Sequence, residues 1–149
     1  MKPSQLFNHW EQVRADLLAT IDRFSDQELG YVPFKGSWPV GQIMLHIAEC
    51  EDYWLHSLVR RELKPPVEYK LAEYPNKAAI KQVLTTTHSR TLLFFDKLDE
   101  MDLDQEYLTR HGETFTLSWI IWHVLEHEIH HRGELSLALG LLGREGLDV

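Results

Sequence analysis

Residues 116–143 read TLSWIIWHVLEHEIHHRGELSLALGLLG, and this stretch decides the fold class. Apolar residues recur across it at three- and four-residue spacing, which is the pattern of an amphipathic helix. The same periodicity marks residues 4–24, 37–61 and 77–98, whereas strand-like alternation is scarce. We therefore predict an all-α protein, a four-helix bundle that forms a single domain over residues 1–149.

Polar residues and glycines mark the expected helix ends. Ser37 and Asn76 are good N-caps for the second and third helices, because their side-chain oxygens can accept from free backbone N–H groups. The fourth helix is predicted to begin near Thr116 and to end by Gly140 or Gly143.

Two connections are longer than a minimal bundle needs. The segment LKPPVEYKLAEYP, residues 63–75, contains three prolines and cannot form one regular helix. Residues 102–116, DLDQEYLTRHGETFT, are predicted to form a connection with a short hairpin at His111-Gly112.

Charge and composition exclude several classes of function. The net charge of −8 disfavours binding to nucleic acid or to an anionic membrane surface, since both need a basic face. No window is apolar enough for a membrane span, and the first residues lack the apolar core of a signal peptide. Cys50 is the only cysteine, which excludes an internal disulfide framework. We expect a cytoplasmic protein.

Residues 123–134, HVLEHEIHHRGE, contain four histidines. Because a helix turns about 100° per residue, His127 and His131 fall on the apolar face, whereas His123 and His130 fall on its flank. The spacing of four residues places both inward rings on one side, able to reach one metal ion. The alternative is that these histidines only pack, but burying two imidazoles without partners is unfavourable.

A third ligand must come from another helix. His46 is the best candidate, because it lies at the edge of the apolar face of the second helix. Cys50, one turn further on, is another candidate, although a buried cysteine more often serves as a small apolar residue. Spacing does not exclude three further histidines, which are His9, His56 and His88.

The motif H-E-x-x-H at residues 127–131 also occurs in zinc proteases. The extended metzincin pattern requires a glycine and a third histidine where this chain has Glu134 and Leu137. No later helix offers a glutamate ligand, so the protease interpretation fails. On a helical wheel of this segment, Glu128 points inward. We expect it either to pair with Arg132 or to act as a base on a metal-bound water.

Residues 37–54, SWPVGQIMLHIAECEDYW, and residues 116–143 resemble the DinB-like family, also called DinB/YfiT, of metal-dependent enzymes. The second stretch contains a run, H-x-x-x-H-R-G-E, like that of the family. The resemblance implies metal ligands at His46, His127 and His131, with zinc or nickel as the divalent ion. It further implies an up-up-down-down four-helix bundle with long crossover connections, and a homodimer.

The resemblance also implies a class of chemistry. Some members are thiol S-transferases that use bacillithiol, mycothiol or glutathione, and a mycothiol-dependent isomerase is related. Three histidines leave an open position on a metal, where a small-molecule thiol would become a thiolate nucleophile. We therefore expect a thiol S-transferase, and the candidates to line its pocket are Trp10, Tyr53, Trp119 and His123.

Two other classes of function stay open. A bound water in place of the thiol would give a metal-dependent hydrolase. A closed site, with the ion joining two helices, would give a non-catalytic metal-binding bundle. The third and weakest alternative is a helical interaction domain without metal.

Overall fold

Helices dominate the computed structural model, which describes residues 1–64 and 66–146. The α-helices are α1 (Pro3–Leu6), α2 (Trp10–Asp22), α3 (Val40–Glu51), α4 (Lys77–Phe95) and α5 (Leu117–Leu141). A π-helix, Asp52–Val59, continues α3 without a break. Short 3-10 turns occupy Asp26–Gly30, Leu71–Glu73 and Glu100–Asp104. Strands β1 (Glu106–Leu108) and β2 (Thr114–Thr116) pair antiparallel, so the predicted hairpin is confirmed.

The predicted cap of the third helix and the predicted start of the fourth helix are confirmed. The Asn76 side chain accepts from the backbone N–H of Ala79 at 2.9 Å, and the Thr116 hydroxyl accepts from that of Trp119 at 3.2 Å. Beyond the end of α5, Gly143 adopts a positive φ of 79°, which glycine tolerates best.

Two predicted boundaries are wrong. Ser37 does not cap the second helix, because α3 begins only at Val40 and the Ser37 hydroxyl donates to the Trp38 carbonyl. Proline keeps the preceding residue extended, so Trp38 before Pro39 prevents an earlier start. The first predicted helix is also interrupted between α1 and α2, over residues 7–9.

Paired contacts define the directions of the helices. Two contacts join α2 and its preceding turn to α5, and two join α3 and its π-helical extension to α4. In each pair of helices, residue numbers increase in the same direction from one contact to the next, so the two helices are parallel. The contacts join Phe7 to Trp122, Asp16 to Arg132, Glu51 to His88, and His56 to Thr91. Around the bundle the order is α2, α5, α3, α4, which gives two neighbours up and two down.

The four-helix bundle is therefore confirmed, with one correction to its topology. The predicted up-up-down-down arrangement is found around the bundle but not in chain order, where the directions are up, down, down, up. Because α3 and α4 are parallel, residues 60–64 and 66–76 lie in the segment that returns along the length of the bundle. No helix among the described residues is long and apolar enough to cross a membrane.

The apolar core forms two clusters, one toward each end of the bundle. One is built around Leu17, Met44, Leu84 and Leu135, and the other around Trp10, Leu55, Phe95 and Ile120. Each of the four helices also carries a buried polar residue between its two core residues just named. We call these four residues the buried polar layer. Its members are Arg14, Glu51, His88 and Glu128.

Candidate metal site

Three imidazoles converge where α3 faces α5. His127 and His131 lie one turn apart on α5, and His46 approaches them from α3. The Nε2 atom of His127 lies 3.1 Å from Nε2 of His46 and 3.1 Å from Nε2 of His131. One donor nitrogen from each ring falls within 4.8 Å of the other two. The structure therefore brings together all three residues that the sequence analysis nominated as ligands.

The spacing of these nitrogens fits a tetrahedral ion. Zinc–nitrogen bonds of about 2.0–2.1 Å and tetrahedral angles place ligand nitrogens roughly 3.3 Å apart. The observed 3.1 Å separations need only a small outward movement of the rings. With three protein ligands, a fourth position would stay open to a small molecule.

Two carboxylates orient the rings by accepting from their outer nitrogens. Nδ1 of His46 lies 3.2 Å from Glu49, and Nδ1 of His131 lies 2.6 Å from Glu134. A proton on each Nδ1 leaves the Nε2 lone pairs directed at one another, as a metal ligand requires. Glu49 is itself fixed, since its other oxygen accepts from the backbone N–H of Tyr69 at 2.7 Å.

Burial favours the neutral imidazoles of His127 and His131. It lowers the pKa of His127 to about 3, and the neighbouring rings of His131 and His46 lower it further. Burial also lowers the pKa of His131, although Glu134 opposes the shift. A neutral imidazole is the form that binds a metal, so at neutral pH the site needs no proton release from these two rings.

Close packing at the start of α3 sets the position of His46. A Cβ on Gly41 would lie 2.6 Å from the Leu71 side chain and 3.0 Å from the Leu29 carbonyl oxygen, so a larger residue there would displace Leu71 and crowd the Leu29 backbone. Trp38, just before the helix, places its ring edge-on to His46 with centroids 4.8 Å apart. The beginning of α3 is thus held against its flanking loops, one turn from the ligand.

A cleft of about 280 Å³ opens beside His46 and His127. Two of the predicted pocket residues, Tyr53 and His123, line it. Trp119 lies outside the lining but stacks on His123, with ring centroids 4.8 Å apart. The remaining lining residues are Glu49, Cys50, Trp54, Val67 and Glu68.

Trp10 does not line the cleft. It is fully buried and donates from its indole nitrogen to Glu128 at 2.7 Å. The prediction that Trp10 lines the pocket is therefore wrong. Trp10 is a core residue whose indole N–H bonds to a buried acceptor on α5.

The other candidate ligands have different surroundings. Cys50 lines the cleft but does not join the three-histidine group, and burial raises the pKa of its thiol. His56 bonds to Thr91 and His88 to Glu51, both in the interior. His9 is exposed at the start of α2.

Glu128 belongs to the buried polar layer. Arg14 donates to both of its carboxylate oxygens at 2.8 Å, and the Trp10 indole donates to one of them. Its predicted partner, Arg132, instead contacts Asp16 at 3.4 Å. The geometry thus gives Glu128 an ion pair with α2 and no contact with the three imidazoles among the described residues.

Sequence reasoning missed the orienting carboxylates Glu49 and Glu134. A signal for them was present, because each lies three residues after a histidine of the site, on the same face of its helix. Glu68 gave no such signal, since it reaches the cleft from the irregular segment before α4.

Comparison with known proteins identifies the family of the chain and structures of the same fold. The family model of the DinB superfamily matches residues 9–135. A DinB-like protein from Bacillus cereus ATCC 10987 is 16% identical, with a TM-score of 0.77 over 100% of this chain and 99% of that one. YfiT from Bacillus subtilis, described as a probable metal-dependent hydrolase with an unusual four-helix bundle topology, is 19% identical. Its TM-score is 0.65 over 93% of this chain and 87% of that one.

A more distant similarity links the chain to an enzyme of known cosubstrate. The mycothiol-dependent maleylpyruvate isomerase is 15% identical, with a TM-score of 0.63 over 93% of this chain and 66% of that one. Among curated proteins, none matches the chain. Because the family model spans most of its length, the chain belongs to the DinB superfamily.

Proposed function

We propose that the protein is a divalent-metal-dependent thiol S-transferase. Its metal would be held by His46, His127 and His131, and zinc or nickel, both of which bind imidazole ligands, is the ion that the family resemblance favours. The observation that carries the proposal is the convergence of the three Nε2 atoms beside an open cleft. When bound, the metal would supply a positive charge that lowers the pKa of a coordinated thiol.

The reacting sulfur must come from a cosubstrate. Cys50 is 7% exposed, and burial raises the pKa of its thiol, so it is a poor nucleophile. A small-molecule thiol entering the cleft meets no such penalty. In the transfer its S–H bond breaks, a bond forms from sulfur to an electrophilic carbon, and a leaving group departs with its bonding electrons.

The carboxylates of the site suit this reaction better than activation of water. Glu49 and Glu134 are occupied in orienting histidines, and Glu128 is bound by Arg14. A thiol needs no strong base, because its ordinary pKa of about 8.5 is close to neutrality. The proton can pass to solvent at the open mouth of the cleft.

A metal-dependent hydrolase is the second candidate. The observation in its favour is that Glu68 lines the cleft without a bond to any of the three histidines, so it is placed to accept a proton from water. The relative described as a probable metal-dependent hydrolase gives this candidate additional support.

Cobalt(II) substitution distinguishes the two functions. We expect a small thiol to change the visible spectrum of the cobalt protein, and thioether products to form from reactive alkyl or aryl halides. Both effects should vanish in His127→Ala, and Glu68→Gln should retain them. A spectrum insensitive to thiols, together with ester or amide hydrolysis that Glu68→Gln abolishes, would replace the transferase with the hydrolase. Metal binding with neither response would indicate a structural ion.

A further inference from the structure

A second cavity, of about 650 Å³, lies next to the metal cleft. It is bounded by the end of the π-helix, the segment after it, and β1 with its following turn. Three cations line it, Arg61, Lys64 and Arg110, together with one carboxylate, Glu106. We call this space the basic cavity. Its excess of positive charge is unexpected in a chain whose net charge is −8.

The cations of the basic cavity have no ion-pair partner within residues 1–64 and 66–146. Five of the other arginines do pair with carboxylates: Arg14, Arg60, Arg90, Arg132 and Arg144. The three side chains are exposed, and Arg110 donates to His111 at 3.1 Å, so solvent weakens their mutual repulsion. An anion bound among them would nevertheless be attracted by all three charges.

Two of these cations are held in defined positions. Arg61 adopts a left-handed φ of 56°, the only non-glycine residue described to do so. Burial raises the pKa of the neighbouring Tyr107, and the positive charge of Arg61 opposes that rise. A side chain other than glycine or asparagine is unfavourable in that conformation. Arg110 lies over the ring of Tyr53, 5.7 Å from its centroid.

Tyr53 joins the basic cavity to the metal cleft, because it lines both. One molecule could therefore place a reactive atom beside His46 and His127 and an anionic group beside Arg61 and Arg110. The combined space suits a ligand the size of a short peptide.

We infer that the basic cavity binds the carboxylates of the thiol cosubstrate, so that the enzyme selects carboxylate-bearing thiols over neutral ones. This inference rests on the proposed thiol transfer and names its substrate class. Arginine favours a carboxylate, because the guanidinium offers two parallel N–H donors to its two oxygens. Tyr53 then forms the wall past which the thiol reaches the metal.

The test uses glutathione, which carries two carboxylates, and its diethyl ester, which has the same thiol without them. Binding is followed by the visible spectrum of the cobalt-loaded protein. We expect glutathione to bind the native protein about tenfold or more tighter than the ester, the effect of one charge-assisted hydrogen bond or more. Arg61→Asn with Arg110→Gln should remove that difference, because asparagine accepts the left-handed backbone at residue 61.

Matched controls separate local from general charge effects. Lys2→Gln with Lys97→Gln removes the same charge from exposed positions outside the basic cavity and should leave both affinities unchanged. Unaltered binding of the ester by the Arg61/Arg110 variant shows that its fold and metal site are intact.

Three results would overturn the inference. Equal affinity for glutathione and its ester would reject the basic cavity as a carboxylate site while leaving thiol transfer in place. A preference for coenzyme A over glutathione, lost in the Arg61/Arg110 variant, would reassign the cavity to phosphate. A cobalt spectrum that no thiol changes would reject thiol transfer itself, and the inference with it.

Discussion

Arg14 is the central cation of the buried polar layer, and its removal gives a strong prediction. Its guanidinium donates to Glu51 at 2.7 Å, to both oxygens of Glu128 at 2.8 Å, and to the Leu84 carbonyl at 2.6 Å. Arg14 is 4% exposed, and both carboxylates are at most 1% exposed. This one residue of α2 thereby bonds to α3, α4 and α5, and two of these helices, α3 and α5, present the three histidines.

The variant Arg14→Met keeps the length of the side chain and removes its charge and donors. Breaking one buried ion pair by removing a single partner destabilises a protein by about 3–5 kcal/mol. Here two carboxylates lose their cation, although His88 still bonds Glu51 and Trp10 still bonds Glu128. We expect the free energy of unfolding at pH 7 to fall by at least about 3 kcal/mol, measured by urea denaturation with tryptophan fluorescence.

The loss should depend on pH. Burial alone would raise the pKa of Glu51, but Arg14 and His88 hold it well below its usual range. The native protein thus gains stability from the ionised carboxylate above the unfolded pKa of about 4.3, and loses it as pH falls below that value. Since Arg14→Met lacks this gain, its deficit should shrink as pH falls below about 4.3.

The control is Arg23→Met, the same change at the exposed end of α2. Arg23 donates only to backbone carbonyl oxygens near the chain's end, so we expect a loss below about 1 kcal/mol. A similarly small loss in Arg14→Met, or a deficit that does not change with pH, would refute the role assigned to the buried polar layer. Adding Glu51→Gln to Arg14→Met should restore part of the stability, because it removes an unpaired buried charge.

Three further predictions test other parts of the structure. Glu134→Gln should weaken metal affinity about 10- to 100-fold in a chelator competition, whereas Glu126→Gln, an exposed change on the same helix, should not. Burial lowers the pKa of His56 to about 4, so the unfolded chain binds a proton more readily than the native protein does. Urea denaturation should therefore show the free energy of unfolding decreasing as pH falls from about 6.5 to 4, and His56→Gln should lack this part of the decrease. We propose that the homodimer expected from the family uses the exposed apolar face of α5, which includes Ile129. Light scattering should show a monomer for Ile129→Glu but a dimer for the control Met101→Glu, and a dimeric mass for Ile129→Glu would exclude this face.

Local sequence signals predicted the helices but not their breaks. Asn76 caps α4 as expected, and α5 begins after Thr116 close to the predicted start, because capping involves only three or four neighbouring residues. The break between α1 and α2 escaped prediction, since Leu6 and Trp10 keep a helical spacing of four across it. The chain order of helix directions also escaped, because it depends on which long connection returns along the bundle.

The three residues of the candidate metal site were predicted from different kinds of signal. His127 and His131 followed from helical geometry alone, whereas His46 needed the family resemblance, since it meets them across 81 residues of chain. Glu128 points inward as expected, but its partner Arg14 lies 114 residues away on α2, where no local pattern reveals it. The basic cavity was missed for the same reason, because three separate segments supply its lining.

The most direct measurement of the central claim is metal content. Metal content is measured by inductively coupled plasma mass spectrometry on the untagged protein and its His127→Ala variant, both purified without chelator. Circular dichroism confirms that both are folded. The account predicts close to one zinc or nickel ion per native chain and almost none in the variant, whose helical spectrum stays unchanged. Metal retained in full by His127→Ala, or a native protein that binds none even when loaded with zinc or nickel, would contradict the three-histidine site.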